Sequence, residues 1–111
     1  MSNADIQAIE FYWRPGCPFC SGLERSLNGL QLPLDKRNIW EEPEHAAFVR
    51  SVADGNETVP TLRIGEISMV NPSPAEVVAA LDDQAPHLVP DGVEVPEPGR
   101  LGSAVRRLLG G

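Results

Sequence analysis

Cysteine is scarce in this chain of 111 residues, which contains only two, Cys17 and Cys20. Small secreted proteins that depend on disulfides usually carry more cysteines, spread along the sequence. A bridge between residues three positions apart closes a very short loop, so it constrains the unfolded chain little. The pair is therefore better explained by thiol reactivity than by a contribution to stability.

Long apolar runs and clustered basic residues are also missing. No segment approaches the ~20 apolar residues of a membrane-spanning helix, and the N-terminal residues lack the basic and apolar segments of a signal peptide. The net charge is −7, whereas binding to nucleic acid needs clusters of Lys and Arg. We therefore expect a cytoplasmic protein that binds neither membranes nor nucleic acid, and we expect it to be a monomer.

The hydrophobic pattern predicts the element order β-α-β-α-β-β-α. Strands are predicted over residues 6–13, 34–40, within 58–64 and over 67–70; helices are predicted over 18–29, from 43 to about 55, and from 74 to about 83. Ser73, Pro74 and Glu76 form a capping-box pattern at the start of the last helix. The β-α-β start predicts a parallel strand pair with a right-handed crossover, and the final strands predict an antiparallel hairpin. The expected fold is an α/β domain with a four-stranded mixed sheet and three helices.

The last quarter of the chain differs in composition from the rest, so we divide the chain into a domain over residues 1–84 and an extension over 85–111. The first part of the extension is rich in proline and acidic residues, which favours an extended linker. Its last part has an apolar stripe that predicts a short amphipathic helix, formed by Leu101, Val105, Leu108 and Leu109.

The position of the two cysteines predicts different roles for them. Cys17 would be the N-cap of the first helix, with Pro18 as its first residue and Cys20 one turn inside. A backbone N–H and the helix dipole would stabilise a Cys17 thiolate, so we expect Cys17 to be an exposed nucleophile and Cys20 a partly covered resolving thiol. Arg14 either favours the thiolate, or binds an anionic thiol, or is a solvated surface charge.

Two alternatives for the pair carry no such chemistry. A zinc site would need His45 and His87 as further ligands, and these are not spaced like a zinc-binding pair. Two unrelated buried cysteines are the other alternative, which the position between a strand and a helix disfavours. We therefore predict no metal site, and we interpret His45 as a surface residue.

Over about residues 6–83 the sequence resembles the glutaredoxins. The matching pieces are the first strand, the Cys17–Cys20 motif at a helix start, and Thr58-Val59-Pro60 before a strand. Within that group it is most similar to the mycoredoxins of mycothiol-using bacteria, because Thr61 follows the proline and Asn71-Pro72-Ser73 comes before the last helix. Ordinary glutaredoxins have a Gly-Gly pair and a Ser-Asp there, which hold a glutathione carboxylate.

The resemblance implies a thioredoxin-like fold and a thiol–disulfide oxidoreductase. It also implies that Pro60 is cis and faces the reactive cysteine, that the Val59 backbone pairs with an extended substrate, and that Phe19 and Thr58 line the same groove. No bound cofactor is expected. A low-molecular-weight thiol, mycothiol in preference to glutathione, would supply the electrons, and the partners would be that thiol and thiolated proteins.

Two other functions compete with this one. The first is a hydrogen donor reduced directly by a flavoprotein reductase, like the redoxins that serve ribonucleotide reductase, although their C-terminal Trp-Ser-Gly-Phe-Arg-Pro signature is missing here. The second is a protein-binding module that uses its C-terminal extension to hold a partner. The reactive cysteine pair argues against a purely structural role.

Overall fold

Strands and helices alternate along residues 5–96, the part of the chain that the computed structural model describes. The strands are β1 (Ile9–Trp13), β2 (Leu34–Asn38), β3 (Thr61–Ile64) and β4 (Ile67–Val70), and the helices are α1 (Pro18–Gly29), α2 (Pro43–Val52) and α3 (Pro74–Gln84). Their order confirms the predicted β-α-β-α-β-β-α arrangement. In this part of the chain, no helix is long and apolar enough to cross a membrane.

The four strands form one mixed sheet in the order β2-β1-β3-β4. The central strand β1 pairs in parallel with β2, so that Trp13 lies opposite Asn38, and it pairs antiparallel with β3. Strands β3 and β4 form the predicted antiparallel hairpin. One edge of the sheet therefore collects the ends of β1, β2 and β4 and the start of β3, at Trp13, Asn38, Val70 and Thr61. We call it the cysteine edge, because Cys17 follows β1 there.

Successive side chains of β1 point to opposite faces of the sheet, and helices cover both faces. Phe11 lies opposite Leu62 of β3, and both are fully buried. On the other face, Tyr12 packs against the Phe48 and His45 rings of α2, with centroids 4.7 Å and 5.7 Å away. Lys36 of β2 lies opposite Phe11. It forms an ion pair with Glu24 of α1 at 3.0 Å, which places α1 on the Phe11 face.

The start of α3 confirms the predicted capping box. The Glu76 amide donates to the Ser73 hydroxyl at 3.2 Å, and the Ser73 amide donates to the Glu76 carboxylate at 2.9 Å. An N-cap of this kind contributes about 1 kcal/mol to stability. Pro74 occupies the first helical position, where a missing N–H costs least. The amides of Ser73 and Glu76 therefore already have hydrogen-bond acceptors within the capping box.

Strand β2 ends two residues earlier than the sequence predicts. The Asn38 side chain accepts a hydrogen bond from the Trp40 amide at 2.8 Å, which turns the chain away from the sheet. Strand β1 likewise begins at Ile9 rather than at residue 6. The alternating pattern of apolar residues does not show where a side-chain hydrogen bond takes the place of the backbone hydrogen bonds between strands.

The segment after α3 is packed, in contrast to the extended linker that its composition predicts. Ala85 is fully buried, a 3-10 turn follows over Pro86–Leu88, and Leu88, Val89 and Val93 pack against the core. The apolar residues between the prolines thus pack on the core. The prediction of an extended linker relied on the content of proline and acidic residues and did not consider these apolar side chains. The division at residue 84 stays a prediction, and the helix predicted within 101–109 lies outside the described residues.

A hydrogen-bonded network holds Tyr12 on the α2 face of the sheet. Its hydroxyl donates to Glu10 at 2.8 Å and accepts from the Arg37 guanidinium at 3.4 Å. Burial, followed by the Glu10 hydrogen bond, raises the pKa of Tyr12 to about 12, while Arg37 acts in the opposite direction. The folded protein therefore holds this proton more tightly than the unfolded chain does.

Because Tyr12 is the only tyrosine, tyrosinate absorbance reports its titration alone. We expect a midpoint at about 12 in the folded protein and at 10 in urea, the ordinary value. Between those pH values the folded state binds more protons, so the free energy of unfolding falls as pH rises, and Tyr12→Phe removes this component. A folded-state midpoint near the ordinary value, with far-UV circular dichroism unchanged, would contradict the burial argument.

Candidate active site

Cys17 lies at the junction between β1 and α1. Gly16 has a positive φ of 78°, a conformation that favours glycine, and it turns the chain from the strand towards the helix. Cys17 is the N-cap of α1 with extended backbone angles, and Pro18 is the first helical residue. Cys17 and Cys20 are both free thiols. The predicted cap position of Cys17 is therefore confirmed.

Two backbone groups contact the Cys17 sulfur. The Cys20 amide donates to it at 3.2 Å, and the Cys17 thiol donates to the Val59 carbonyl at 3.7 Å. The sequence predicted an exposed Cys17, but its exposed fraction is only 5%, against 2% for Cys20. The Val59 segment accounts for the difference, since it reaches Cys17 from 42 residues away in the sequence and could not be placed from local patterns.

Cys20 lies one turn inside α1 and is more shielded than Cys17. Burial raises the pKa of the Cys20 thiol, and the hydrogen bond with Cys17 raises it further; a backbone hydrogen bond from Arg14 acts in the opposite direction. Cys20 therefore keeps its proton at neutral pH. A protonated thiol next to a nucleophilic sulfur can donate a hydrogen bond or a proton without competing as a nucleophile.

The segment Thr58-Val59-Pro60 crosses in front of Cys17. The Val59–Pro60 bond is cis, as the resemblance implied. The Asn71 amide donates to the Pro60 carbonyl at 2.8 Å, and the Thr61 hydroxyl donates to the Thr58 carbonyl at 2.7 Å. Val59 and Pro60 are buried while Thr58 is exposed, so the segment has one fixed side against the core and one side open to solvent.

A shallow groove of about 280 Å³ opens beside the cysteines, between α1 and the start of α3. Pro18 and Phe19 form its α1 wall, and Asn71, Pro72 and Pro74 form the opposite wall. Phe19 is 69% exposed, which is unusual for a phenylalanine in the first turn of a helix. The structure thus brings Phe19 together with the segment that distinguishes this sequence from ordinary glutaredoxins.

Arg14 does not line this groove and instead contacts Trp40, for which the sequence pattern predicted no role. Its guanidinium carbon is 5.8 Å from the centroid of the Trp40 ring, and its Nη1 donates to the Pro15 carbonyl at 3.2 Å. The sequence pattern predicts that Trp40 ends a strand, and a tryptophan in that place is usually buried. Its position at the carboxyl end of a strand parallel to β1 is the signal that could have placed it near Cys17.

The two histidines have structural contacts of their own. His45 packs against Tyr12, and His87 Nε2 lies 2.9 Å from the Ile6 carbonyl. Among residues 5–96, no three or more side chains of the His, Cys, Asp and Glu types form a group that could hold a metal ion. The two free thiols, Cys17 and Cys20, are the nucleophilic groups that the structure places at the cysteine edge.

Comparisons with known proteins point to one family. The family model for glutaredoxin matches residues 9–68, a range that includes both cysteines and the Thr58–Pro60 segment. Mycoredoxin 1 of Corynebacterium glutamicum is 35% identical over 83 residues, which cover 74% of this chain and 96% of that protein. The solution structure of a glutaredoxin from Brucella melitensis has the same fold, with a TM-score of 0.53, 23% identity, and coverage of 81% of this chain and 96% of that one.

The environments of the two thiols predict their order of reaction with an alkylating agent. In the reduced protein at neutral pH, we expect iodoacetamide to modify Cys17 at least about tenfold faster than Cys20, because the Cys17 sulfur receives the Cys20 amide N–H at the helix start, whereas burial raises the pKa of the Cys20 thiol. Cys20 should become reactive only as the pH approaches its raised pKa. Peptide mapping by mass spectrometry gives both rates, with Cys17→Ser as the control; faster modification of Cys20 would reverse the assignment.

Proposed function

Because the chain belongs to the glutaredoxin family and is therefore a thiol–disulfide oxidoreductase, we propose that Cys17 is its nucleophile and Cys20 its resolving thiol. The substrates proposed are mixed disulfides between proteins and a low-molecular-weight thiol. The observation that carries the assignment is the hydrogen bond from the Cys20 amide to the Cys17 sulfur at the start of α1. An N–H donor and the positive end of the helix dipole stabilise negative charge on that sulfur.

The first step is the attack of the Cys17 thiolate on the small-thiol sulfur of the mixed disulfide. The disulfide bond breaks, the protein thiolate leaves and takes a proton, and Cys17 holds the small thiol in a new disulfide. A second small thiol, as its thiolate, then attacks the sulfur of the bound one. This step releases the small-thiol disulfide and regenerates the Cys17 thiolate. Over the whole cycle, two electrons pass from the small thiols to the substrate protein.

Cys20 offers a second route to release. Its thiolate attacks the Cys17 sulfur, the small thiol leaves, and a Cys17–Cys20 disulfide forms, which two further small thiols reduce. This route needs a deprotonated Cys20, and burial raises the Cys20 pKa. At neutral pH the external thiol should therefore complete most turnovers.

Substrate binding is proposed for the segment in front of Cys17 and for the side chains around it. An extended substrate would pair with the Val59 backbone, as in the addition of a strand to a sheet. Support comes from the two hydrogen bonds that fix Thr58 and Pro60 while Thr58 stays exposed. Phe19 would provide an apolar contact at the neighbouring groove, and Arg14 would lie on the opposite side of the sulfur.

Mycothiol is the electron donor that we propose in preference to glutathione, and the start of α3 is the reason. Glutathione carries two carboxylates, whereas the cysteine of mycothiol is joined to a sugar amine and has no free carboxylate. In this chain the amides of Glu76 and Ser73 are used by the capping box, and Pro74 has no N–H. The Glu76 carboxylate lies at the same place, so an anionic ligand would meet few free donors and a negative charge.

The roles of the two cysteines can be separated by substitution. We expect Cys17→Ser to lower turnover of a mycothiol-modified model protein by more than roughly 10³-fold, because the nucleophile is removed. Cys20→Ser should keep at least about half of the activity, because an external thiol can resolve the intermediate. A reductase-coupled assay measures both, and activity in Cys17→Ser with loss in Cys20→Ser would overturn the assignment.

The preference for a thiol without carboxylates has its own test. We expect a higher kcat/KM with mycothiol than with glutathione at equal thiol concentration. Glu76→Gln keeps the capping acceptor but removes the charge, so it should raise the glutathione value by about twofold to fivefold and leave the mycothiol value unchanged. Equal or better rates with glutathione would indicate a general glutaredoxin, and reduction by a flavoprotein reductase alone would favour the hydrogen-donor alternative.

A further inference from the structure

Exposed apolar side chains concentrate at the cysteine edge. Within residues 5–96, four large apolar side chains are exposed, namely Phe19, Trp40, Val70 and Val95. Three of them belong to the cysteine edge, since Phe19 is next to the cysteines, Trp40 follows β2, and Val70 ends β4. Phe19 belongs to the groove between α1 and α3. Trp40, which is 64% exposed, is the one that the proposed mechanism leaves without a role.

The backbone around Trp40 is fixed to the strand that leads to Cys17. The Ile39 amide donates to the Trp13 carbonyl at 2.9 Å, which joins the chain before Trp40 to the last residue of β1. The Trp40 and Glu41 amides donate to the side chain and the carbonyl of Asn38, at 2.8 Å and 3.1 Å. An exposed indole on a backbone held in this way is already positioned before a ligand arrives, which lowers the entropic cost of binding.

Arg14 connects Trp40 with the thiols. Its guanidinium lies over the indole at 5.8 Å, within the range of a cation–π contact, and Arg14 stands three residues before Cys17 in the loop that leads to α1. The indole thus keeps a large exposed area beside a planar group that carries several N–H donors. A ligand attached to Cys17 would find an apolar ring surface and hydrogen-bond donors on this side of the sulfur.

The charges around Trp40 favour a ligand that is neutral and rich in hydroxyl groups. Glu41, Glu42 and Glu44 follow it directly, and all three are exposed. Carboxylates accept hydrogen bonds from hydroxyls but repel anions, and the guanidinium donates to hydroxyl oxygens. A sugar or cyclitol ring matches this combination, because its C–H face packs on an indole and its hydroxyls reach the charged groups.

We propose that Trp40 and Arg14 form a stacking subsite for the sugar portion of the small thiol, and that Trp40 is a specificity-determining residue for sugar-bearing thiols. This inference rests on the proposed function, since it requires a thiol that carries a sugar. It adds a binding contact after the end of β2, separate from the groove that Phe19 lines.

The experiment compares two mixed disulfides of one model peptide, the first with mycothiol and the second with N-acetylcysteine, which lacks the sugar. Trp40→Ala should lower kcat/KM for the mycothiol substrate about tenfold, mainly through KM, and should affect the N-acetylcysteine substrate less than about twofold. Trp40→Phe, which keeps an aromatic face, should restore most of the loss. Adding glucosaminyl-inositol, a ligand without a thiol, should shift the indole N–H resonance of Trp40 and leave that of Trp13 unchanged.

The outcomes separate this inference from the proposed function. If the wild-type protein prefers mycothiol but Trp40→Ala does not reduce that preference, the stacking subsite is wrong and the proposed function stands. Equal losses on both substrates would mean that Trp40 contacts the peptide or supports the fold, which also overturns the subsite. If the wild-type protein shows no preference for mycothiol, the mycothiol part of the proposed function fails, and the subsite fails with it, while the roles of the two cysteines are decided by their own substitutions.

Discussion

The hydrogen bond from the Cys20 amide to the Cys17 sulfur, at 3.2 Å, links the fold to the chemistry. It exists because Cys17 caps a helix directly after a strand, so the sulfur takes the place that a serine or aspartate oxygen has in most N-caps. The parallel pairing of β1 with β2 holds the strand from which the chain enters that helix. The antiparallel β3 then brings Val59 from a distant part of the sequence to the other side of the same sulfur.

The two helix N-termini at the cysteine edge are used in opposite ways. At α1 the cap is a sulfur, which accepts an amide N–H and is the reacting atom in the proposed function. At α3 the cap is Ser73, whose hydroxyl accepts from the Glu76 amide at 3.2 Å, while the Glu76 carboxylate accepts from the Ser73 amide at 2.9 Å. Similar local structures therefore give one end suited to stabilising a thiolate and another that discourages an anionic ligand. The difference rests on the residues at positions 17, 73 and 76.

Local patterns were enough to predict the element order, the capping box and the cap position of Cys17, because each depends on residues that are neighbours in the sequence. Contacts between distant segments were not predictable in this way. The burial of Cys17 depends on Val59, and the exposure of Trp40 depends on the turn that the Asn38 side chain makes. The packing of Leu88, Val89 and Val93 similarly needs a core surface that no local pattern shows. The cis bond at Pro60 was expected from the family resemblance alone.

The contact between His87 and the Ile6 carbonyl lies before the start of β1, at the end of that strand away from Cys17. The turn between β3 and β4 is at the same end, where Gly65 faces the Gln84 and Ile6 side chains so closely that a larger residue would collide with them. The residues before β1 therefore meet the end of α3 and the turn after it at the end of the sheet away from the thiols. Local opening of the chain at this end of the sheet would therefore leave the cap at Cys17 in place.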